Sequence, residues 1–218
     1  MEISTQLNNT SVSVFGSMDL FEQAQRMVVP LSKSTMVPET YQNNLPNCMV
    51  AMEMSHRIGK SVLEVMQNMQ IVKGSAGWKS EYVIMSINRS GIFEDPLDFV
   101  FSDDRQSCYA IAVRKSNKKE LKGTTVSMEM ALAEGWLTKS GSKWKTMPEQ
   151  MLMYRAATFF CRVYCPEVLA GVQTQDEITD IGIIGSVPSN NLAINNINSN
   201  LEPEYTPCEE VAEEEEEF

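Results

Sequence analysis

The sequence predicts an α+β fold: a small antiparallel sheet with packed helices and one long basic helix near residues 146–165. Alternating apolar residues over 97–101 and 108–113 flank a polar turn, a pattern typical of two antiparallel strands. Helical patterns precede and follow this pair without the regular strand–helix alternation of a parallel α/β sheet. A chain of 218 residues also suits one domain with a sizeable core.

Helix signals dominate the first ninety residues. Proline and glycine mark where several of these helices begin and end. The methionines of the second helix suit adaptable core packing, and contacts between subunits are the alternative. In order, we predict helix 19–29 ended by Pro30, helix 48–58 between Pro46 and Gly59, helix 61–69 with a Ser61–Glu64 capping box, strand 70–73, a turn at 74–77, and helix 81–90 closed by Gly91.

The second half contains the longest helix. Thr146 and Glu149 match a capping box, Pro148 suits the first turn, and Pro166 ends the pattern. Before it we predict a basic turn at 115–119, a strand at 121–126 and a helix at 128–134 ended by Gly135. The apolar stripe expected to face the core is Leu152, Ala156, Phe160 and Val163.

Charge is distributed very unevenly along the chain. The formal net charge is −11, but nine glutamates lie from Glu202 onward, where there is no lysine or arginine. Without that tail, 20 acidic and 18 basic residues remain, a net charge of −2. Residues 105–162 contain eleven basic and four acidic residues, a net charge of +7. Local potential decides where a polyanion binds, so this distribution favours a nucleic-acid partner.

Composition also suggests the limits of the domain. We expect a disordered N-terminus at 1–17 and a core domain at 18–182. Residues 183–201 are rich in Asn and Ser and resemble a linker, and 202–218 form a disordered acidic tail ending in Phe218. The five cysteines have no disulfide-framework spacing, and neither a membrane-spanning run nor a signal-like start is present. We therefore expect a cytoplasmic protein with free thiols.

Three motifs are too weak to indicate an enzyme, a metal or a cofactor. Gly59-Lys60-Ser61 resembles the end of a P-loop, but the required earlier glycine is replaced by Met54. Cys161 and Cys165 supply only half of a zinc site, which needs four ligands. The carboxylates Asp176, Glu177 and Asp180 lie in one short stretch, which is more typical of a solvated helix start than of a two-metal nuclease.

The basic residues near the long helix are the candidate DNA ligands. Arg155 and Arg162 are seven residues apart, so they share a helix face at a separation of about 10 Å, with Phe159 between them. Spacing alone equally allows these arginines to pair with carboxylates. The other candidates are Lys139, Lys143, Trp144 and Lys145 before the helix, and Arg114, Lys115, Lys118 and Lys119 in the basic turn.

One block of the chain has a highly specific order. It reads Trp-Lys-Thr-Met-Pro-Glu-Gln-Met-Leu over 144–152 and Tyr-Arg-Ala-Ala over 154–157. Earlier segments within 71–93 read Ile-Val-Lys-Gly, Gly-Trp and Ile-Asn-Arg-Ser-Gly-Ile-Phe. These segments resemble the RecT/Redβ (Bet) family of phage recombinases, and the similarity extends roughly over residues 20–180.

The resemblance implies ATP-independent binding and annealing of single-stranded DNA by a ring or helical filament with a basic groove. It implies a 5′-to-3′ exonuclease and the single-strand binding protein of the bacterial host as partners. The acidic end closed by Phe218 is similar to the tips of single-stranded DNA binding proteins. A passive binding protein with an autoinhibitory tail therefore stays open as an alternative, as do a nuclease and a structural phage protein that oligomerises without DNA.

Overall fold

Helices and two small sheets form the α+β fold of the computed structural model, which describes residues 13–72 and 74–181. The fold class predicted from the sequence is therefore confirmed. The helices are α1 (Met18–Ser32), α2 (Leu45–Ile58), α3 (Val62–Asn68), α4 (Ser80–Arg89), α5 (Met128–Ala133), α6 (Lys143–Thr146), α7 (Pro148–Tyr164) and α8 (Gln175–Ile181), with a 3-10 turn at Pro166–Leu169. The strands are β1 (Met69–Val72), β2 (Ser75–Trp78), β3 (Asp98–Phe101), β4 (Ser107–Val113), β5 (Glu120–Lys122), β6 (Val126–Ser127) and β7 (Gln173–Thr174).

The larger sheet is built on the predicted strand pair. β3 and β4 are antiparallel, and β5 and β6 both pair with β4 on its other side. The strand predicted at 121–126 is therefore interrupted, although the Gly123 N–H still donates to the carbonyl of Ala110 at 2.8 Å. Along β4, burial alternates residue by residue, and the buried residues are Cys108, Ala110 and Ala112. Their small side chains allow α7 to pack closely on this face of the sheet.

The smaller sheet differs from the prediction. β1 and β2 form an antiparallel hairpin, and β7 adds to β2 in parallel. The turn predicted at 74–77 is wrong, because residues 75–78 form β2. A Cβ on Gly77 would lie 2.7 Å from Cδ1 of Ile178 and 3.0 Å from the Gln175 nitrogen. Gly77 is therefore required for the close approach of α8 to this strand.

Helix ends are predicted well where glycine decides them. Gly59 lies at φ +64° after α2, and Gly91 and Gly135 lie at +72° after α4 and α5. The end predicted at Pro30 is wrong, because α1 continues to Ser32. Val28 and Ser32 are buried in this last turn, so packing offsets the backbone hydrogen bond that proline cannot donate.

Both predicted capping boxes are wrong. Ser61 precedes α3 but makes no capping hydrogen bond, and Glu64 instead pairs with Arg89 at 3.5 Å. Thr146 belongs to α6, where its hydroxyl donates to the Lys143 carbonyl at 3.4 Å, so α7 begins at Pro148 without a side-chain cap. The apolar stripe of α7 is buried at Leu152, Ala156 and Phe160, but Val163 is 64% exposed.

The N-terminal helices supply much of the core. Met49, Met52 and Met54 of α2 are buried, so core packing accounts for these methionines and the alternative of a subunit contact is wrong for them. Residues before α1 also join the fold, since Val14 is buried and the Ser13 hydroxyl donates to Glu53 at 2.8 Å. Residues 1–12 of the predicted disordered N-terminus, and the linker and tail from 183, lie outside the described residues. None of the described helices is long and apolar enough to cross a bilayer.

We predict that Gly77→Ala destabilises the domain by about 1–3 kcal/mol, because the added methyl group overpacks the contact between β2 and α8. Ser75→Ala, at an exposed position of the same strand, is the matched control and should have little effect. The measurement is the free energy of unfolding in urea for both variants. Equal stability of the two variants would contradict the proposed close contact.

Candidate nucleic-acid interface

Arg155 lies in the core of the domain. Only 3% of its side chain is exposed, and its Nη2 forms an ion pair with Oδ2 of Asp180. Its Nη1 lies 3.9 Å from Oε1 of Glu177, and its guanidinium stacks on Trp136, 4.2 Å from the ring centroid. The structure therefore places this predicted phosphate ligand in a buried ion pair between α7 and α8.

Arg162 has a different environment from Arg155 although it belongs to the same helix. Its Nε and Nη2 donate to the two carboxylate oxygens of Glu177 at 3.1 and 2.6 Å. Its side chain is 37% exposed, whereas that of Glu177 is 6% exposed. Both arginines thus pair with carboxylates, which is the alternative that their spacing left open, and only Arg162 also reaches the surface.

The carboxylates of α8 are structural anchors. The prediction of a solvated helix start is wrong for Glu177 and Asp180, which are both buried. Glu177 and Thr174 form a reciprocal capping box: the Thr174 N–H donates to Oε2 of Glu177 at 2.9 Å, and the Glu177 N–H donates to the Thr174 hydroxyl at 3.2 Å. The third carboxylate, Asp176, accepts from the Ser80 hydroxyl at 2.6 Å and so joins α8 to α4.

Burial and ion pairing act in opposite directions on the two buried carboxyls. Burial tends to raise the pKa of Glu177, but hydrogen bonds from Arg162 and the Thr174 N–H, with the charge of both arginines, lower it below 4.5. Burial raises the pKa of Asp180 above its ordinary value, although Trp144 and Arg155 favour its charged form. Glu177 is therefore the carboxylate whose ionised form this network stabilises.

Residues 139–145 form a basic segment, here called the basic loop, which runs into the short helix α6 and is fastened to α8. Trp144 is 1% exposed, and its Nε1–H donates to Oδ2 of Asp180 at 3.0 Å, so it anchors the loop and offers no surface for stacking. Lys139 is half-buried, and its Nζ donates to the Thr179 carbonyl at 2.7 Å. Lys143 and Lys145 are exposed, with no carboxylate partner in the described part of the chain. The anchored tryptophan thus presents two lysines to solvent.

Residues 114–119 form a basic turn between β4 and β5. The Arg114 Nη2 donates to the Tyr164 carbonyl at 3.0 Å, at the C-terminal end of α7. Lys118 forms an ion pair with Glu94. Lys115 and Lys119 are exposed and, within residues 13–72 and 74–181, have no ion-pair partner. This turn therefore also presents two lysines to solvent.

The basic loop and the basic turn lie at opposite ends of α7. The loop leads directly into the N-terminus of this helix, whereas the turn is tied to Tyr164 at its other end. A helix of 17 residues is about 25 Å long. The structure therefore does not bring the two clusters together, and a strand of nucleic acid would have to span this distance to contact both.

The other ionisable groups of the described residues show no arrangement for metal binding. Among the described residues, no group of three or more His, Cys, Asp or Glu side chains is placed to hold a metal ion. The sulfurs of Cys161 and Cys165 lie 3.6 Å apart in the core. The hydrogen bond between these thiols and their burial raise the pKa of Cys161, so the protonated thiol is favoured.

The domain is thus of the α+β class, with exposed lysines near both ends of its longest helix. The model of the RecT family matches residues 60–188, more than half of the chain. The chain belongs to the RecT family, which implies single-strand annealing in phage recombination. No match was found among curated proteins or among solved structures.

Sequence reasoning missed the partners of the arginines. Glu177 and Asp180 are three residues apart, which places both on one face of a helix, and Thr174-x-x-Glu177 has the form of a capping box. These signals indicated a helix with one acidic face. They did not indicate that this face packs on α7, because that contact depends on the tertiary fold.

We predict that Arg155→Ala destabilises the domain by about 3–5 kcal/mol, because it leaves Asp180 buried without its ion-pair partner. Arg89→Ala is the matched control: it removes an ion pair with Glu64 in which the arginine is exposed, and it should cost less than about 1 kcal/mol. Chemical denaturation of both variants measures the difference. Similar stabilities for the two would contradict the structural role of Arg155.

We also predict a specific pH dependence for Glu177. Because its folded pKa lies below the ordinary 4.5, its contribution to stability is fully present above that pH and is lost as pH falls through the folded pKa. The difference in unfolding free energy between wild type and Glu177→Gln should thus be largest at neutral pH and shrink in acid. A difference that is constant from pH 7 to about pH 3 would contradict the assigned shift.

Proposed function

We propose that this protein binds single-stranded DNA and anneals complementary strands without ATP. The observation that carries the proposal is the match to the RecT family over residues 60–188, which includes the basic turn and the basic loop. The exposed lysines of these two segments supply the cations that such binding needs. Phosphate contacts of this kind are independent of sequence and sensitive to salt.

The candidate DNA ligands take different roles in this proposal. Lys143 and Lys145 contact phosphates from the basic loop, and Lys139 supports them while it bonds to α8. Lys115 and Lys119 contact phosphates from the basic turn, where Arg114 and Lys118 hold its conformation.

Two further candidates lie within the core network. We assign Arg155 and Trp144 the role of positioning the basic loop, since both are buried on Asp180. Arg162 combines an ion pair to Glu177 with a half-exposed side chain, so it is the arginine of α7 that we assign to phosphate contact. A guanidinium has five donors, which allows Arg162 to retain Glu177 while it meets a phosphate.

Annealing follows from how such a site holds a strand. Contacts to the phosphates fix one strand in an extended form and leave the base edges available to a complementary strand. Pairing of the bases supplies the free energy, so nucleotide hydrolysis is not required. The two lysine clusters of one domain lie near opposite ends of a helix that is about 25 Å long. We therefore propose that subunits assemble into a ring or helical filament, which joins these short sites into a continuous groove.

The proposal extends to the rest of the chain and to its partners. Residues 18–182 form the annealing domain, 183–201 a linker and 202–218 an acidic tail. We propose that the protein acts in the cytoplasm of a bacterial host. A phage 5′-to-3′ exonuclease supplies its single-stranded substrate, and the host single-strand binding protein is displaced or engaged.

The test is annealing of two complementary fluorescent oligonucleotides by the purified full-length protein, without ATP, at low and moderate salt. Faster annealing than in buffer alone supports the proposal. Binding without acceleration supports instead a passive single-stranded DNA binding protein, an alternative favoured by the nine glutamates from Glu202 onward. Absence of binding at any salt concentration overturns both.

We predict that the double substitution Lys143→Gln with Lys145→Gln weakens single-strand binding and slows annealing. Loss of two phosphate contacts should reduce the slope of log affinity against log salt by about 1.4. The charge-matched control is Lys33→Gln with Lys60→Gln, because these exposed lysines follow α1 and α2. Equal salt slopes for the two double variants would show that the basic loop is not part of the DNA interface.

We predict that deletion of residues 202–218 tightens DNA binding at low salt. The tail contains nine glutamates, which compete with phosphates for the exposed lysines. The effect should disappear near 1 M salt, where the Debye length is about 3 Å. A binding titration of full-length and truncated protein across this range tests the prediction, and identical affinities throughout would contradict it.

A further inference from the structure

The larger sheet has a second face that does not join the core. Residues paired across β3, β4 and β5 share a face, so Val100 lies beside Tyr109, and Lys122 lies beside Ile111. Four residues of this face are half-buried and are not among those that pack against the hydrophobic core: Val100, Tyr109, Ile111 and Val113. The opposite face, with Cys108 and Ala110, packs on α7. The outer face thus presents apolar side chains to solvent.

A cation lies directly on this outer face. The Lys122 Nζ is 4.0 Å from the centroid of the Tyr109 ring. Lys122 is exposed and has no carboxylate partner within the described residues. The basic turn, with exposed Lys115 and Lys119, continues directly from the end of β4. Aromatic and cationic side chains are therefore adjacent, as in surfaces that bind single-stranded nucleic acid.

Two carboxylates, Asp98 and Glu120, share this face on the strands that flank β4. By register, Asp98 is paired with Ile111 and Glu120 with Val113, whereas the partner of Tyr109 is Val100. Asp98 also accepts a hydrogen bond from the Phe99 N–H at 2.8 Å. Neither carboxylate is therefore paired directly with Tyr109, which has Val100 opposite it on β3 and the Lys122 ammonium over its ring.

We propose that this outer face binds single-stranded DNA through its bases, with one base stacked on Tyr109 and Lys122 on a neighbouring phosphate. The inference rests on the proposed function and adds a base-binding surface to the phosphate contacts of the basic loop and turn. Stacking of a base on an aromatic ring contributes more than an exposed cation–π contact. A base therefore displaces the flexible Lys122 side chain from the ring, and its ammonium remains close enough to meet the phosphate.

The experiment compares two ligands, a fluorescent oligo-dT and an oligonucleotide of the same length with abasic sugars, on the full-length protein. Tyr109→Leu removes the ring but keeps an apolar side chain, and Tyr109→Phe is the matched control that keeps the ring. We expect Tyr109→Leu to weaken binding of oligo-dT by about 5- to 150-fold and to leave abasic binding unchanged. Tyr109→Phe should bind both ligands like wild type.

Lys122→Gln gives an independent measurement. It should weaken binding of both ligands and reduce the single-strand salt slope by about 0.7, because it removes one phosphate contact. Photocross-linking of wild type with 5-iodouracil-substituted DNA should label Tyr109 and needs no variant. If Tyr109→Leu fails to fold, the cross-link and Lys122→Gln still decide the question.

The outcomes separate this inference from the proposed function. If Tyr109→Leu binds oligo-dT as tightly as wild type does, the stacking site is overturned and the proposed function stands. Equal losses on oligo-dT and abasic DNA also overturn it, because the bases would then have no part in the effect. Loss of self-association by Tyr109→Leu without DNA, in sedimentation velocity, would instead assign the face to a contact between copies. Failure of wild type to bind either ligand would overturn the proposed function itself.

Discussion

The buried ion pair between Arg155 and Asp180 is the interaction on which the rest of the site depends. Two charges removed from water destabilise a fold unless they are paired and hydrogen-bonded. Here Asp180 also accepts from the Trp144 indole, and the Arg155 guanidinium stacks on Trp136. This network fixes α8, α7 and the basic loop relative to one another, so the charged pair gives the loop a defined conformation.

The network explains why the two arginines of α7 are not the main exposed cations of the domain, because both pair with carboxylates of α8. Arg155 serves the fold, and Arg162 serves both the fold and the surface. The lysines of the basic loop and the basic turn, which we assign to phosphate contact, lie near the two ends of α7. A scaffold of this kind separates stability from binding: a lysine in the loop can be replaced without loss of a buried partner, whereas an arginine in the core cannot.

The two faces of the larger sheet also differ in their roles, because one packs in the core and the other does not. The small residues Cys108, Ala110 and Ala112 let α7 approach one face closely, which completes the core. The other face carries Tyr109 and Lys122 in contact, and it is the face to which we assign base binding. Because β4 continues into the basic turn, bases and phosphates of one strand can be served by adjacent parts of the chain.

The sequence by itself determined the α+β class, the antiparallel pair β3 and β4, the helix ends at glycine and the concentration of positive charge before and within α7. These features are local, since alternation, left-handed glycine and charge counts do not depend on distant residues. Only the tertiary structure decided that Arg155 is buried, that Trp144 anchors a loop and that Thr146 caps nothing. The partner Asp180 is 25 residues from Arg155, and no local pattern specifies which helix faces pack together.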